Sequence, residues 1–222
     1  MEESRQKLLI FAKAPIAGHA KSRMIPLLGA EGAAQLHREI TRRLLRRLTN
    51  RLKSEPDYQI ELWAASAIDH PFFEECSGEF GVVLKLQQGD DLGERQFLAM
   101  DSALGESDHV VIIGSDVVSL TEMDIKNAFN ALQQGYELVI SPAEDGGYGL
   151  IGGSRVERDI FDGIHWGAEL VYKEITDNLN RLEYNWHQLA EVWDLDQPDD
   201  LIRLSREPDL PEGILELMKN IG

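Results

Sequence analysis

The stretch that decides the fold is H-V-V-I-I-G-S-D-V-V-S-L, residues 109–120, followed by a helical segment and then by Y-E-L-V-I-S-P-A-E-D-G-G-Y-G-L-I-G-G, residues 136–153. Val110–Ile113 is a short, unbroken apolar run closed by Gly114, which is typical of a strand buried on both faces of a parallel sheet. Leu138–Ile140 repeats this pattern. The sequence therefore predicts an α/β protein with a Rossmann-like, mostly parallel sheet flanked by helices.

Polar residues follow both of these strands. Ser115 and Asp116 come directly after the first, and E-D-G-G, residues 144–147, comes after the second. Open α/β sheets bind ligands outside the carboxyl ends of their strands, and hard divalent cations take oxygen ligands there together with substrate phosphates. We predict a metal-and-phosphate site in which Asp116 is the first metal ligand and Asp196 or Asp145 is the second.

A basic loop leaves the first predicted strand, Lys7–Ala12. Its sequence is K-A-P-I-A-G-H-A-K-S-R-M, residues 13–24, and it carries Lys13, Lys21 and Arg23. Arginine offers a bidentate fork and lysine a point charge, so this loop suits a polyphosphate. A basic surface loop is the alternative. The loop lacks the glycine patterns of a Walker loop and of a dinucleotide fingerprint.

These charged residues predict electrostatic catalysis. Asp116, Asp145 and Lys21 are the catalytic candidates: a metal held by Asp116 would neutralise charge that develops on the leaving group, and Lys13, Lys21 and Arg23 would share that task. The sequence offers no convincing Ser–His–Asp or Cys–His arrangement.

Five further residues are candidates for the substrate side. Gly146 and Gly147 would let the backbone pass close to a ligand, and Tyr148 would either stack on a ring or pack in the core. His165 is the histidine best placed for chemistry, and Trp166 lines a pocket or belongs to the core.

Length and charge narrow the class of protein. The chain of 222 residues predicts one domain, residues 1–222, with a net charge of −17. Residues 1–56 hold 12 of the 22 Lys and Arg, so the net charge of residues 57–222 is strongly negative. A strongly acidic surface argues against nucleic acid as a partner.

No apolar run approaches the roughly 20 residues that span a membrane. With no signal peptide and one cysteine, Cys76, we expect a cytoplasmic protein.

A long helix is predicted over Glu31–Lys53. Leucine and isoleucine recur every four residues along it, and six arginines occupy its other faces (Arg38, Arg42, Arg43, Arg46, Arg47 and Arg51). A solvated face, or a contact within a homodimer, is a better interpretation of these arginines than a nucleic-acid surface. His37 is interpreted as a surface or capping histidine.

The remaining elements follow from hydrophobic periodicity and capping residues. Strands are predicted at Tyr58–Ala65, Val82–Leu86, Tyr184–Leu189 and Glu191–Leu195, and helices at Leu92–Leu104, Glu122–Gln134, Val156–Phe161, Glu169–Leu182 and from Pro198 onward. The strand, helix and strand of the opening stretch predict a right-handed crossover unit.

Several motifs together resemble a known family. K-A-P-I-A-G-H-A-K-S-R-M, I-I-G-S-D, P-A-E-D-G-G-Y-G-L-I-G, W-G and D-L-D-Q-P-D-D-L occur in this order and cover nearly the whole chain. They resemble the bacterial radical-SAM/selenodomain-associated transferases. The resemblance implies the nucleotide-diphospho-sugar transferase fold, also called glycosyltransferase-A-like (GT-A), with a nucleotide at the carboxyl edge of the sheet and a divalent metal, Mg²⁺ or Mn²⁺.

Two guanylyltransferases share parts of these motifs. The A-K-S-R stretch and the D-G-G motif are similar to those of phospholactate guanylyltransferase, and D-x-P-D-D-L resembles the N-T-P-E-D-L ending of the molybdenum-cofactor guanylyltransferase. By position, the resemblance implies that Lys21 and Arg23 belong to the phosphate-binding loop and Asp116 to the metal site. It likewise implies that Asp145–Gly147 forms the substrate-side turn and that Asp196 occupies a second metal-side position.

One departure from the family affects the expected function. The family usually continues G-S-D-C-P-G-L, whereas Val117, Val118 and Ser119 stand here before Leu120, which alters the turn after Asp116.

The first hypothesis is a metal-dependent glycosyltransferase that uses a nucleotide sugar and a small acceptor. The second is a nucleotidylyltransferase that uses a nucleoside triphosphate and releases pyrophosphate. The third is a nucleotide-binding protein with a degenerate site.

Overall fold

The computed structural model describes residues 5–49, 58–207 and 210–219. Its strands are β1 (Gln6–Ala12), β2 (Gln59–Ala64), β3 (Val83–Leu86), β4 (His109–Gly114), β5 (Leu138–Pro142), β6 (Tyr148–Gly153) and β7 (Trp186–Gln188). Its helices are α1 (Ile25–Thr49), α2 (Pro71–Phe80), α3 (Leu92–Leu104), α4 (Glu122–Gln133), α5 (Val171–Arg181), α6 (Pro198–Leu204) and α7 (Glu212–Lys219). The strands form one sheet in the order β3-β2-β1-β4-β6-β5-β7.

The sheet is mostly parallel, as predicted. β1 pairs in parallel with β2 and β4, β2 with β3, and β5 with β7. Successive residues of β1 are buried on opposite faces, Leu8 and Ile10 with α1, α2 and α4, and Leu9 and Phe11 with α3 and α5. Helices therefore cover both faces of the sheet, which confirms the predicted α/β class.

A strand that the sequence does not predict lies within the crossover unit. β4 and β5 are not neighbours, because β6 lies between them and pairs antiparallel with both. The sequence does not reveal β6, since glycines are poor strand formers. Packing requires them here. A Cβ on Gly149 would lie 2.6 Å from Val192 Cγ2, and one on Gly152 would lie 2.8 Å from Val111 Cγ2.

The strand predicted at Glu191–Leu195 is wrong. Only Val192 forms a bridge, with Ala143, and the amide of Leu195 donates to the carbonyl of Asp116. This stretch is therefore an extended segment that crosses the strand ends near Asp116 instead of joining the sheet.

Helix α1 begins earlier than predicted and contains a break. It starts at Ile25 and has a non-helical residue at Gly29, with φ 70° and ψ 169°. The predicted end at Lys53, together with Arg51, lies outside the described residues.

The arginines of α1 form contacts within the chain. Ion pairs join Arg38 to Glu75 and Arg42 to Glu79 of α2. The guanidinium of Arg47 donates to the carbonyls of Val118 and Leu120. Much of this face therefore packs against its own chain. No helix in the described ranges is both long enough and apolar enough to cross a membrane.

Candidate functional site

A cavity of about 790 Å³ opens at the carboxyl edge of the sheet, where β1 and β4 end. Most of the predicted site residues line it: Lys13, Lys21, Arg23, Ser115, Asp116, Asp145, Gly147, Tyr148, Trp166 and Asp196. Gly146 and His165 are outside the lining. Residues more than 170 positions apart in sequence thus meet at one edge of the sheet.

The loop after β1 turns Lys21 into this cavity. Lys21 has φ 48° and ψ 49°, a left-handed conformation that is uncommon for a residue other than glycine. Ala20 and Met24 on either side are buried and anchor the loop, and a short 3-10 helix follows at Ser22–Met24. Such strained backbone is often found at functional sites. The side chain of Lys21 is only 5% exposed.

Lys21 and Asp116 form an ion pair. Lys21 Nζ lies 2.8 Å from Asp116 Oδ2. Burial acts to raise the pKa of Asp116, but the Lys21 ammonium outweighs it and holds that pKa at about 2. Burial also acts to lower the pKa of Lys21, and the carboxylate of Asp116 outweighs it in turn. The two groups are therefore both charged at neutral pH.

Two more aspartates approach this pair from the extended segment 192–196. Arg23 forms an ion pair with Asp196. Burial, followed by the negative charges of Asp116 and Asp145, raises the pKa of Asp194 to about 6, although Lys21 acts in the opposite direction. Asp194 also lines the cavity and is thus an additional candidate residue. Its signal in the sequence is the D-L-D spacing, which places it two residues before Asp196.

The donor set fits a cation that binds together with a ligand. Within residues 5–49, 58–207 and 210–219, no group of three or more His, Cys, Asp or Glu side chains is arranged to hold a metal by itself. Asp116 and Asp194 are nonetheless close enough for one charge to raise the pKa of the other, and a cation would relieve that repulsion. Carboxylate oxygens with phosphate oxygens from a ligand form the usual Mg²⁺ shell.

The E-D-G-G-Y turn is held by its own backbone. Asp145 Oδ1 accepts a hydrogen bond of 2.9 Å from the amide of Gly147. Gly146 has φ +86°, and a Cβ there would lie 2.0 Å from the carbonyl oxygen of Glu169. The close approach predicted for this turn therefore occurs at Gly146 with another part of the chain, which holds residues 166–169 against the cavity.

Tyr148 and Trp166 form part of the cavity wall. The hydroxyl of Tyr148 donates to Gln96 Oε1 on α3. Trp166 packs so closely on Gly93 that a Cβ there would lie 2.6 Å from Trp166 Cζ2. Both aromatic residues line the cavity and also contact the core.

The environments of His165 and His37 are the reverse of those expected from the sequence. His165 lies outside the cavity, with its side chain 79% exposed and Nδ1 2.7 Å from Glu174 Oε1. His37, expected at the surface, is 4% exposed and lines the cavity, with Nε2 3.0 Å from the carbonyl oxygen of Lys13. Burial lowers the pKa of His37, so its ring is neutral at pH 7. Its position beside the leucine stripe of α1 is the signal that it is buried.

The turn after Asp116 is well packed despite its departure from the family pattern. Val117 and Val118 are buried in two different clusters of the core. Ser119 Oγ donates to the carbonyl of Trp193 and accepts from its amide, at 2.9 and 2.8 Å. These contacts join the turn to the segment that carries Asp194 and Asp196.

Solved structures share this fold. The chain superposes with a TM-score of 0.83 and 30% identity on a candidate nucleotide-diphospho-sugar transferase from Desulfovibrio desulfuricans G20, covering 99% of this chain and 95% of that one. Glucosyl-3-phosphoglycerate synthase from Mycobacterium tuberculosis, with Mn²⁺, UDP and phosphoglyceric acid, gives a TM-score of 0.55 at 13% identity, covering 98% and 78%. The inositol-1-phosphate CTP transferase of T. maritima gives 0.52 at 11%, covering 100% and 98%.

These superpositions confirm the predicted nucleotide-diphospho-sugar transferase fold. No curated protein matches the chain by sequence. The family model DUF2064, described as an uncharacterized protein conserved in bacteria, matches residues 44–168, which is more than half of the chain. The chain therefore belongs to the DUF2064 family.

Proposed function

We propose that the protein is a metal-dependent transferase that uses a nucleotide-activated donor, with a nucleotide-diphospho-sugar as the first candidate. The observation that carries this proposal is the buried Lys21 paired with Asp116 at the carboxyl edge of the sheet, beside Asp194. The site thus combines an ammonium group with carboxylates, as the joint binding of a diphosphate and a cation requires. The D. desulfuricans relative, at 30% identity, supports the same assignment.

The cations of the loop after β1 would bind the diphosphate. Lys21 is held in place by Asp116, whereas the side chain of Lys13 is exposed and has no partner among the described residues. Lys13 is therefore free to swing onto a bound phosphate. The ion pair between Arg23 and Asp196 would rearrange when an anionic ligand arrives. A bidentate arginine contact would then add geometric specificity.

Asp116 and a second carboxylate, Asp194 or Asp196, would hold Mg²⁺ or Mn²⁺. When bound, such an ion supplies charge neutralisation at the diphosphate. Among the protein groups, Lys21 would stabilise negative charge on the leaving diphosphate from a position that is only 5% exposed, where competing water is scarce. Asp145 and Glu169 line the cavity beyond the carboxylate pair and would face the acceptor. We propose that one domain, residues 1–222, carries this chemistry.

A nucleotidylyltransferase is the second candidate. Three cations on one loop, Lys13, Lys21 and Arg23, match a triphosphate as well as a diphosphate. CTP-dependent enzymes such as the T. maritima transferase share the fold. The motifs shared with the two guanylyltransferases support nucleotidylyl transfer as the reaction type, without assigning the base. The released product distinguishes this candidate from the first.

The test is a binding panel followed by product analysis. Nucleoside diphosphates, nucleoside triphosphates and nucleotide sugars, each with and without Mn²⁺, are added to wild type, Asp116→Ala and Asp101→Asn, and unfolding is followed by thermal shift. Asp101 is an exposed carboxylate on α3 and serves as the matched control. A ligand at 100 times its Kd stabilises a protein by about 2.7 kcal/mol.

We expect a Mn²⁺-dependent shift in wild type and Asp101→Asn that is absent in Asp116→Ala. The nucleotide sugar and the nucleoside triphosphate of the best-bound nucleoside are then each incubated with phosphorylated and hydroxylated acceptors. Release of nucleoside diphosphate supports the glycosyltransferase, and release of pyrophosphate supports the nucleotidylyltransferase. No shift with any ligand would favour a degenerate site and contradict the proposal.

A further inference from the structure

We infer that one end of the cavity reads the nucleobase of the bound nucleotide, and that its hydrogen-bonding groups select a pyrimidine over guanine. This inference rests on the proposed nucleotide-dependent function. We call this part of the cavity the amide end. It lies beyond the carboxyl end of β3 and is lined by Ala65, Gln87, Leu92, Arg95 and Gln96.

Gln87 presents a fixed acceptor at the amide end. The residue is only 8% exposed, and its Nε2 donates a hydrogen bond of 2.8 Å to the carbonyl of Trp63. A carbonyl can only accept, so this bond sets which way the amide faces. Gln87 Oε1 has no partner among the described residues, yet it is not sealed from solvent. Because Gln87 lines the cavity, the free oxygen is available to accept from a ligand.

Gln96 presents the opposite polarity. It is 7% exposed, and its Oε1 accepts a hydrogen bond from the hydroxyl of Tyr148. Its Nε2 has no partner in the described part of the chain and is not fully buried. The two amides therefore face the cavity with opposite groups, an oxygen of Gln87 and an NH₂ of Gln96.

Arg95 adds further donors. Its Nε donates to the carbonyl of Gly89 at 2.9 Å, which fixes the plane of the guanidinium. Gly89 has φ +123°, and a Cβ there would lie 2.9 Å from the amide nitrogen of Arg95, so this contact requires glycine. The remaining nitrogens of Arg95 have no partner in the described residues. The amide end thus offers donors from two side chains and an acceptor from one.

The charged and neutral lining residues of the cavity come from different segments of the chain. Its acidic lining residues follow β4 and β5 or lie in later segments: Asp116, Asp145, Glu169, Asp194 and Asp196. The amide end contains no acidic side chain in its lining, and Ala65 and Leu92 supply apolar surface. Neutral amides beside apolar surface suit a flat polar heterocycle, whereas phosphates belong beside Lys13 and Lys21.

The balance of donors and acceptors favours a pyrimidine. On the edge that pairs in duplexes, uracil carries two acceptors and one donor, O4, O2 and N3–H. Cytosine also carries two acceptors and one donor, whereas guanine carries one acceptor and two donors. A buried group left without its partner costs binding energy, so two donor side chains facing the donor-rich edge of guanine are unfavourable.

The experiment compares UDP, CDP, GDP and ADP with Mn²⁺ by titration calorimetry, so that the diphosphate contacts are the same in each case. Wild type is expected to bind UDP or CDP about tenfold or more tightly than GDP, since one unmatched buried hydrogen bond is worth roughly that factor. In Gln96→Glu, the carboxylate still accepts from Tyr148 but replaces the donor by an acceptor. The preference should then move towards GDP by about tenfold.

Two further variants provide a matched control and a second test. Gln88→Glu makes the same chemical change at an exposed neighbour outside the cavity lining and should leave all four Kd values unchanged. Tyr148→Phe removes the hydroxyl that orients Gln96, and the resulting freedom of the amide should reduce the ratio of the GDP to the UDP Kd. Ligand-free melting temperatures show whether each variant folds.

Three results would overturn the inference. They are a wild type that binds GDP as tightly as UDP and CDP, a Gln96→Glu variant that folds but weakens all four ligands by the same factor, and a Tyr148→Phe variant with an unchanged ratio. Each leaves the proposed nucleotide dependence intact. Failure of every nucleotide to bind wild type would overturn both proposals.

Discussion

Lys21 Nζ and Asp116 Oδ2 lie 2.8 Å apart although 95 positions separate them in sequence, and their exposures differ, 5% for the lysine side chain and 38% for the aspartate. The pair joins the strained loop after β1 to the end of β4. Because the lysine is the more deeply buried partner, loss of the aspartate isolates a buried ammonium, whereas loss of the lysine leaves a carboxylate that water still reaches.

This asymmetry predicts unequal effects of single mutations. Asp116→Ala should reduce the free energy of unfolding by about 2–4 kcal/mol, and Lys21→Met by about 1–2 kcal/mol. The double variant should be more stable than the sum of the single effects implies, with a coupling energy of about 1–3 kcal/mol. Urea unfolding of wild type, the two single variants and the double variant measures this coupling energy.

The matched control for this cycle is the exposed pair Lys173–Asp177, whose side chains are 68% and 59% exposed. Alanine substitutions there should couple by less than about 0.5 kcal/mol. Equal coupling in the two cycles would show that burial of Lys21 contributes nothing.

His37 is predicted to hold the loop that carries the cations. Its Nε2 donates to the carbonyl of Lys13 from inside α1, at 3.0 Å, and the ring is buried. His37→Leu should cost about 1–2 kcal/mol of unfolding free energy, because the Lys13 carbonyl loses a buried donor. It should also weaken nucleoside diphosphate binding.

His37→Gln is the matched variant, since its Nε2 can donate to the same carbonyl from a helix-compatible side chain. It should recover most of the binding. Urea unfolding and calorimetry separate the two effects. If His37→Leu and His37→Gln bind a diphosphate equally well, the hydrogen bond to Lys13 is not needed for the loop.

Cys76 is predicted to be unreactive in the native protein. It is fully buried, and burial raises the pKa of its thiol to about 12. A thiol reagent at pH 8 should therefore modify it only after denaturation, because the thiolate is the reactive form. Rapid stoichiometric labelling without denaturant would contradict this burial.

The same pKa predicts a pH-dependent stability. In the unfolded chain the thiol ionises near its ordinary pKa of about 9, whereas in the folded protein it stays protonated to about 12. The unfolded state binds fewer protons between these values, so stability falls as the pH rises above 9. Between pH 9 and pH 10 wild type should lose about 1 kcal/mol more than Cys76→Ala. Parallel slopes for the two proteins would refute this assignment.

The sequence predicts the parallel part of the fold well because hydrophobic periodicity reports burial. Val110–Ile113 identifies β4, and the helix predicted at Leu92–Leu104 has the observed bounds of α3. β6 is not predicted because Gly149 and Gly152 are selected by close packing with Val192 and Val111, which strand propensities do not describe.

Charged residues in recognisable motifs are the signal of the candidate site in the sequence. Lys21 and Asp116 are predicted from motifs that follow β1 and β4, Asp196 is predicted from the D-L-D motif, and all three line the cavity. Gln87 and Gln96 carry no such signal, since their roles depend on hydrogen bonds to Trp63 and Tyr148 that only the tertiary structure shows. Side-chain orientation of this kind is set by partners distant in sequence, which a local pattern does not contain.

Gly146 is predicted to be required for a close approach as well as for its backbone conformation. Both Gly146 and Gly163 have positive φ, +86° and +71°, so alanine strains either position by about 1–2 kcal/mol. Only at Gly146 would the added Cβ meet another group, the carbonyl oxygen of Glu169 at 2.0 Å. No atom lies within 4 Å of a Cβ at Gly163.

Comparing the two alanine variants therefore isolates the clash from the strain. Gly163→Ala should lose about 1–2 kcal/mol of unfolding free energy and keep its nucleotide affinity. Gly146→Ala should lose more than about 3 kcal/mol, because a backbone segment must move, and it should bind nucleotide more weakly, since Glu169 and Trp166 line the cavity. Urea unfolding and calorimetry on both variants test this. Equal losses of unfolding free energy in the two variants would mean that residues 166–169 move without cost. Glycine would then be required at position 146 only for its backbone conformation.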